Sequence, residues 1–475
     1  MTTTDDRRWL VLGVCCMSLL LVSLDVTIVN VALPAVSRDF HAPLSGLQWI
    51  VDAYTLVLAM LLMLSGSLGD RLGRKRVFRT GLVLFTAGSL LCSLAPALWA
   101  LVLFRMVQAV GGSMLNPVAM AILVNTFRDP RERARAIGVW GGVVGVSMAL
   151  GPLVGGALVD SLGWRAVFWV NVPIGILALV LTNLVVPESR AARARALDPT
   201  GQALVVVFLG SLTYAIIEAP ERGWTSPGSL GLYAVAAAAL VALLVVELRL
   251  SEPLLELRFF RSVPFTAATV TAVAAFAVLG TFLFVNTLYL QQVRGCSPVE
   301  AGLRTLPMAL VAGVCAPLSG RLVASRGPRV PLVLAGVATV AGSALLLRLS
   351  PQTSTGHLLL AYALVGLGFG LVNAPITNTA TSGMPRSQAG VAAAVASTSR
   401  QVGASLGVAV SGSLVAGTSG AAFARASHAV WGVTAGCGVV VAVLGVLATG
   451  PGALRTAARV SAGFEEEGSR ELADA

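Results

Sequence analysis

Apolar residues in this chain run in long blocks, and polar residues are confined to the short segments between them. A helix needs roughly 20 largely apolar residues to cross the hydrocarbon core of a bilayer. Fourteen stretches meet that need, at 9–36, 47–68, 77–95, 98–127, 134–159, 164–187, 201–219, 229–248, 264–290, 300–320, 330–349, 357–381, 388–417 and 428–450. The pattern predicts an all-α membrane protein with fourteen spans and no inserted soluble domain. Residues 1–8 are polar and carry Arg7 and Arg8. The apolar run after them lacks a small-residue cleavage site, so it reads as a retained first span rather than a signal peptide.

Composition agrees with lipid as solvent. Hydrophobic residues make up 56% of the 475 positions and charged residues 12%, against about 25% charged in soluble domains. Mean hydropathy is +0.84. The net charge of +11 invites a nucleic-acid reading, but its distribution removes it. With the N-terminus in the cytoplasm, 24 of the 33 basic residues fall in cytoplasmic segments and five in external ones. That is the positive-inside asymmetry of a multi-pass protein with both termini cytoplasmic. The six cysteines have no metal or disulfide spacing, and five of them lie inside apolar runs. No metal, cofactor, nucleotide-binding loop or catalytic constellation is predicted, so the chain does not read as an enzyme.

A repeat divides the chain. Residues 66–75, G-S-L-G-D-R-L-G-R-K, match residues 320–329, G-R-L-V-A-S-R-G-P-R, in Gly, Leu, Gly and a basic residue at one offset. The first copy joins spans 2 and 3 and the second joins spans 10 and 11. Eight spans separate them, which fits six helices, two extra and six more. The predicted units are an N-terminal six-helix bundle at 1–187, a linker with two additional helices at 188–262, a C-terminal six-helix bundle at 263–450, and a disordered cytoplasmic tail at 451–475. Bundles related by such a repeat hold their site between them near the midplane.

Ionisable groups inside a span are functional candidates. Asp25 in span 1 and Arg105 in span 4 lie at about 16 Å and 10 Å from the outer ends of their helices, counted at the helical rise, so contact is allowed. Asn30, Asp52, Tyr54, Gln108 and Asn116 are candidates to line a cavity. The small residues Gly145, Gly151, Gly155 and Gly156 with Pro152 in span 5 predict close helix packing and a bend.

Four of these segments resemble the major facilitator superfamily. The loop containing Gly66, Asp70, Arg71, Gly73 and Arg74 resembles its signature between helices 2 and 3. L-D-V-T-I-V-N-V-A-L-P at 24–34 is similar to the first-helix signature of drug:proton antiporters, particularly the fourteen-helix branch. R-M-V-Q-A-V-G-G at 105–112 follows the family pattern with Ala109 in place of the usual glycine. G-P-L-V-G-G at 151–156 resembles the antiporter signature of helix 5. The resemblance implies the major facilitator fold and a location in a bacterial cytoplasmic membrane. It implies proton-coupled efflux of small lipophilic compounds such as drugs, biocides or antibiotics, by alternating access. Asp25 and Arg105 would couple protons from the gradient, and Asp70, Arg71 and Arg74 would latch the bundles on the cytoplasmic side. A monomer suffices for this. Two other readings stay open: a dedicated exporter of one endogenous metabolite, and a membrane sensor that binds without transporting.

Overall fold

Helix follows helix wherever the sequence is apolar, and the breaks fall at glycine, proline and capping residues. The computed structural model describes residues 4–127, 129–191, 197–250, 253–385 and 388–473. Arg128, Arg193, Arg195 and Arg386, counted above for orientation, lie outside the described residues. The first bundle comprises α1 (Thr4–Phe40), α2 (Leu44–Leu72), α3 (Arg74–Ser93), α4 (Leu98–Thr126), α5 (Pro130–Leu162), and the short α6 (Ala166–Trp169) running into α7 (Asn171–Val185). Then come α8 (Pro199–Arg222), α9 (Pro227–Glu247) and a 3-10 turn at Leu257–Arg261. The second bundle comprises α10 (Val263–Leu288), α11 (Pro298–Arg326), α12 (Arg329–Leu346), α13 (Thr355–Thr381), α14 (Ala389–Val415) and α15 (Gly420–Leu447), followed by α16 (Pro451–Ala473).

Local chemistry sets these ends. Asp129 accepts from the amides of Arg131 and Glu132 at the start of α5, and Ser297 with Glu300 forms a capping box on α11, so exposed first-turn amides are satisfied. The repeat has a direct structural counterpart. Gly73 closes α2 at φ 110° and Gly327 closes α11 at φ 75°, each at the same place in its copy. Only glycine takes that conformation without strain.

Among the described residues there is no strand, and twelve helices are long and apolar enough to cross a membrane. The other two segments expected to span are α3 and α14, 20 and 27 residues long. Polar residues dilute them: Arg74, Lys75, Arg76 and Arg79 open α3, and Arg400, Gln401 and a run of serines interrupt α14. Both pack inside the bundle, α3 on α4 and α14 on α10 and α2.

The bundles meet along two seams, α5 against α11 and α2 against α14. Hydrogen bonds between them gather at the end where α1 finishes and α2 begins. Gln48 Nε2 donates to the carbonyls of Val408 (3.3 Å) and Ala409 (2.9 Å), Gln291 Nε2 to Val31 (2.9 Å), and the Val299 amide to Asp160 Oδ2 (3.2 Å). Glycine makes the contact close. A Cβ on Gly156 would stand 2.6 Å from the Pro298 carbonyl, and one on Gly302 would stand 2.3 Å from the Pro152 carbonyl. Toward the end that carries the chain's N-terminus the packing loosens: Gly138, Gly141 and Gly142 of α5 and Gly320 of α11 have nothing within 4 Å of a Cβ position. The additional helix α8 lies over the other seam. Gln202 Nε2 donates to the Met60 carbonyl (2.6 Å) and Ser413 Oγ to the Ile216 carbonyl (2.7 Å), so one helix touches both bundles.

The tail departs from the expected disorder. Residues 451–473 form α16, which begins on a proline and carries the helix formers Ala, Arg and Glu. Its apolar face is held: Ala453 and Ala457 are buried, and Phe464 stacks on Phe259 at 5.6 Å with Arg258 at 4.4 Å over its ring. Charge density alone suggested a solvated coil, but the tertiary contact supplies the stability that a short isolated helix lacks.

Gly156→Ala and Gly302→Ala are expected to lower stability by about 1–3 kcal/mol each through overpacking, whereas Gly138→Ala is expected to be neutral or stabilising. Thermal melts in detergent separate these outcomes. Equal melting of the Gly156 and Gly138 variants would contradict the seam.

Candidate functional site

Three helices of the first bundle bring polar side chains to one point inside it. Helix α1 carries Asp25 in an otherwise apolar run, and α4 carries Arg105 and Gln108 on one face, one turn apart. Asn171 opens α7. Arg105 Nη1 donates to Asp25 Oδ2 at 2.5 Å, Gln108 Nε2 to Asp25 Oδ1 at 2.8 Å, and Asn171 Nδ2 to the same Oδ1 at 3.1 Å. Arg105 also donates to Gln108 Oε1 (2.7 Å) and, through Nε, to the Ile50 carbonyl of α2 (3.1 Å). Gln108 donates further to Ser89 Oγ of α3 at 2.7 Å. The guanidinium lies 4.1 Å from the Tyr54 ring centroid and 5.8 Å from that of Phe168. Asp25 is 0% and Arg105 1% exposed.

Close packing builds this cluster. A Cβ at Gly111 would meet the Phe85 amide at 2.3 Å, and one at Gly88 would meet Gln108 Cα at 2.7 Å. Because α3 and α4 touch backbone to backbone, Ser89 reaches Gln108. Burying one ion is expensive, and a buried pair persists only where its remaining donors and acceptors are also met. Here the carboxylate accepts three donors and the guanidinium finds a carbonyl, an amide oxygen and two aromatic faces.

The glycines of α5 connect this point to the seam between bundles. A Cβ at Gly151 would overlap Thr27 Oγ1 at 1.9 Å, and one at Gly155 would meet Ile28 Cγ1 at 2.7 Å. Thr27 and Ile28 lie two and three residues past Asp25, within one turn of α1. The other side of α5 meets α11: Gly156 faces Pro298, the Pro152 carbonyl faces Gly302, and a Cβ at Gly145 would stand 3.3 Å from Gly313 Cα. Helix α5 is therefore a thin spacer between α1 and the second bundle. A shift at Asp25 has a short packed route to the seam.

The charged loop sits elsewhere. Asp70 Oδ1 accepts from Arg74 Nε (3.1 Å) and Nη2 (2.8 Å), and its carbonyl accepts from the Ala191 amide (3.3 Å). The Arg74 amide donates to the Ser189 carbonyl, the Lys75 amide to Glu188 Oε1 (3.1 Å), and Arg76 faces Glu188 at 3.9 Å. A Cβ at Gly73 would stand 2.7 Å from Glu188 Oε1, and Gly69 packs on Val118. A Cβ at Gly66 would stand 3.8 Å from Pro117, and Arg71 is exposed. These contacts fasten the loop to the segment after α7, within the first bundle, rather than to the second.

The five residues expected along a cavity divide. Gln108 and Tyr54 belong to the buried cluster. Asn30 is buried with Nδ2 on the Val26 carbonyl (2.7 Å), and Asp52 is buried with Oδ1 accepting from Thr55 (3.4 Å). Only Asn116 is partly open. Ser89, Asn171, Phe168 and the Ile50 carbonyl join the cluster without having been expected at the site, although Asn171 belongs to a segment, N-V-P at 171–173, that resembles the fourteen-helix branch. Asn171, an amide near the start of an apolar run, carried a signal, whereas a backbone carbonyl has none.

Arg105→Met strands the Asp25 charge and is expected to lower stability by about 3–5 kcal/mol. Adding Asp25→Asn to that chain should restore part of the loss. Melts in detergent give the coupling, and strictly additive losses would contradict the paired geometry.

Comparison with known proteins agrees with this architecture. The family profile of the Major Facilitator Superfamily matches residues 15–408. The chain is 38% identical over 400 residues to the multidrug resistance protein Stp of Mycobacterium tuberculosis, covering 84% of this chain and 74% of that one. It is 40% identical over 419 residues to the tetracenomycin C resistance and export protein of Streptomyces glaucescens, covering 88% and 78%. The puromycin resistance protein of Streptomyces alboniger is 39% identical over 422 residues, covering 88% and 84%. The solved structure of a D-xylose–proton symporter superposes with a TM-score of 0.66 at 15% identity, over 92% and 97% of the two chains, which is a likeness of fold. The family match, the near full-length relatives and the two repeated bundles have one reading: this chain belongs to the Major Facilitator Superfamily.

Proposed function

We propose that this protein is a fourteen-helix, proton-coupled exporter of small lipophilic compounds, working by alternating access in a bacterial cytoplasmic membrane with both termini in the cytoplasm. The observation that carries the reading is the sealed Asp25–Arg105 pair, an ionisable pair buried inside the membrane-spanning bundle. The names of the relatives, which speak of multidrug, tetracenomycin C and puromycin resistance, support small-molecule export.

The geometry supports a sequence of steps. In the proposed orientation the bundles are joined at the external end and loosened toward the cytoplasm, a state open inward. Substrate enters between the bundles. When they rock about α5–α11 and α2–α14, the packing of Gly151 and Gly155 on α1 moves with them and the Asp25 cluster opens to the external side. A proton taken there neutralises Asp25 and releases its hold on Arg105. Return to the inward state restores the pair and expels the proton to the cytoplasm. Each proton moving inward supplies about 2.3 kcal/mol per 100 mV of membrane potential. In the outward state Asp70, Arg71 and Arg74 would exchange their present partners for the second bundle and latch the cytoplasmic end. The twelve apolar helices together with α3 and α14 supply the fourteen spans, and a single chain holds both bundles.

The tetracenomycin C relative favours a second reading, export of one natural product made by the same cell. A sensitivity screen across unrelated dyes and antibiotics separates broad from dedicated export.

Asp25→Asn is expected to abolish dye export driven by a pH gradient in everted membrane vesicles while dye binding to the purified protein remains. Undiminished gradient-driven export by that variant would sink proton coupling at Asp25.

A further inference from the structure

The second bundle holds a cation that no acid answers. Arg400 lies eleven residues into α14, about 16 Å along the helix at 1.5 Å per residue, well inside the membrane. Its Nη1 donates to Ser397 Oγ at 3.3 Å and its Nη2 to Thr377 Oγ1 of α13 at 2.5 Å, while Nε is buried without a partner. Among the described residues no carboxylate lies within ion-pair distance of it, and the only acid of the second bundle's helices, Glu300, sits in the first turn of α11. Leaving a charge unpaired inside a membrane protein is expensive, and such residues mark pathways or binding sites.

Its surroundings face a polar interior. Thr377 and Asn378 are exposed, Asn373 is half-buried one turn below Thr377, and Ser397 and Gln401 flank the arginine on α14. A polar strip of this kind on two adjoining helices belongs against water rather than lipid. Two residues on, Val402 packs against the cluster of Leu56, Ala59 and Met60 on α2, so this turn borders the first bundle. Phe276 of α10 lies 5.9 Å from the guanidinium and stacks edge-on against Phe369 at 5.3 Å. Its ring is half-open. A planar guanidinium held only by two neutral hydroxyls that an anion can replace, beside an aromatic shelf, fits an anionic oxygen attached to a flat apolar body. Across the seam, Asp25 is matched by Arg105, and Asp52 of α2, the other acid near this boundary, is fully buried against Thr55 and Ser405 rather than open to the interior.

We propose that Arg400 is a substrate-binding residue that selects amphiphilic anions, such as lipophilic carboxylates or acidic phenols, with Phe276 holding the ring system. The proposal rests on the export reading and names its substrate class.

Two dyes of similar ring system and opposite charge test it: fluorescein and rhodamine 123. Binding to the purified full-length protein in lipid nanodiscs, followed by fluorescence anisotropy, needs no gradient and so stands apart from proton coupling. The wild type is expected to bind fluorescein more tightly than rhodamine 123. Arg400→Gln should weaken fluorescein about tenfold or more, the loss of one charged hydrogen-bonding partner, and leave rhodamine 123 within about twofold of its wild-type affinity, which also reports an intact fold. Thr377→Glu, which offers the arginine an internal counter-ion, should lose fluorescein likewise and answers the question if the glutamine variant does not fold. No preference for fluorescein in the wild type, or equal losses for both dyes in the variants, would overturn the proposal. Intact anion selectivity without gradient-driven export would leave the site standing and remove only the export reading.

Discussion

A single buried ion pair, Asp25 on α1 with Arg105 on α4, constrains the rest of the first bundle. Neither charge can be left alone at that depth, so α2 turns the Ile50 carbonyl toward the guanidinium and α7 offers Asn171 to the carboxylate. Helix α3 approaches closely enough for Ser89 to hold Gln108. Five helices are thus positioned by the requirement that two charges be fully hydrogen-bonded. Protonation would remove that requirement in one step, which is what makes such a cluster suitable as a switch.

The glycines give this local change mechanical reach. On one side of α5 they admit Thr27 and Ile28 of α1, and on the other they admit the start of α11. A larger residue at either face would separate the coupling site from the seam. Packed helices change between discrete arrangements rather than deforming continuously, so an ångström-scale shift of α1 against α5 can bias which end of the bundle is closed. The second bundle brings a different kind of group to the boundary between the two. Arg400 is partly open, hydroxyl-bonded and uncompensated, whereas Asp25 and Arg105 are sealed and mutually satisfied. The division of labour proposed here, with protons handled in the first bundle and ligand charge in the second, follows from that contrast in solvation.

Much of the architecture is legible in the sequence. Apolar block length located nearly every helix, and the repeat anticipated that Gly73 and Gly327 would close equivalent helices with the same left-handed backbone. Depth counting allowed Asp25 to meet Arg105, and the structure brings them together. What stayed hidden depends on tertiary contact. Asn171 and Ser89 look like ordinary polar residues until α7 and α3 carry them to the cluster. The break at Val170, between α6 and α7, has its signal in Pro173, which lacks an N–H and crowds the Trp169 carbonyl four residues back. The charged residues of α16 favour a coil when read alone, yet Phe464 finds a partner in Phe259, a little over 200 residues upstream. The loop of Asp70 and Arg74 shows the same limit: its residue types are specific, but its present partners, Glu188 and Ser189, come from a segment no motif points to.

Proton exchange at Asp25 during the change of state is what the proposed mechanism turns on. Infrared difference spectra of the purified protein, recorded as the pH is lowered and raised again, follow the carboxyl stretch directly. A reversible band of a protonated carboxyl is expected, and it should disappear in Asp25→Asn while the fold is retained. A band unchanged by that substitution, or an Asp25 carboxylate that stays ionised throughout, would contradict it.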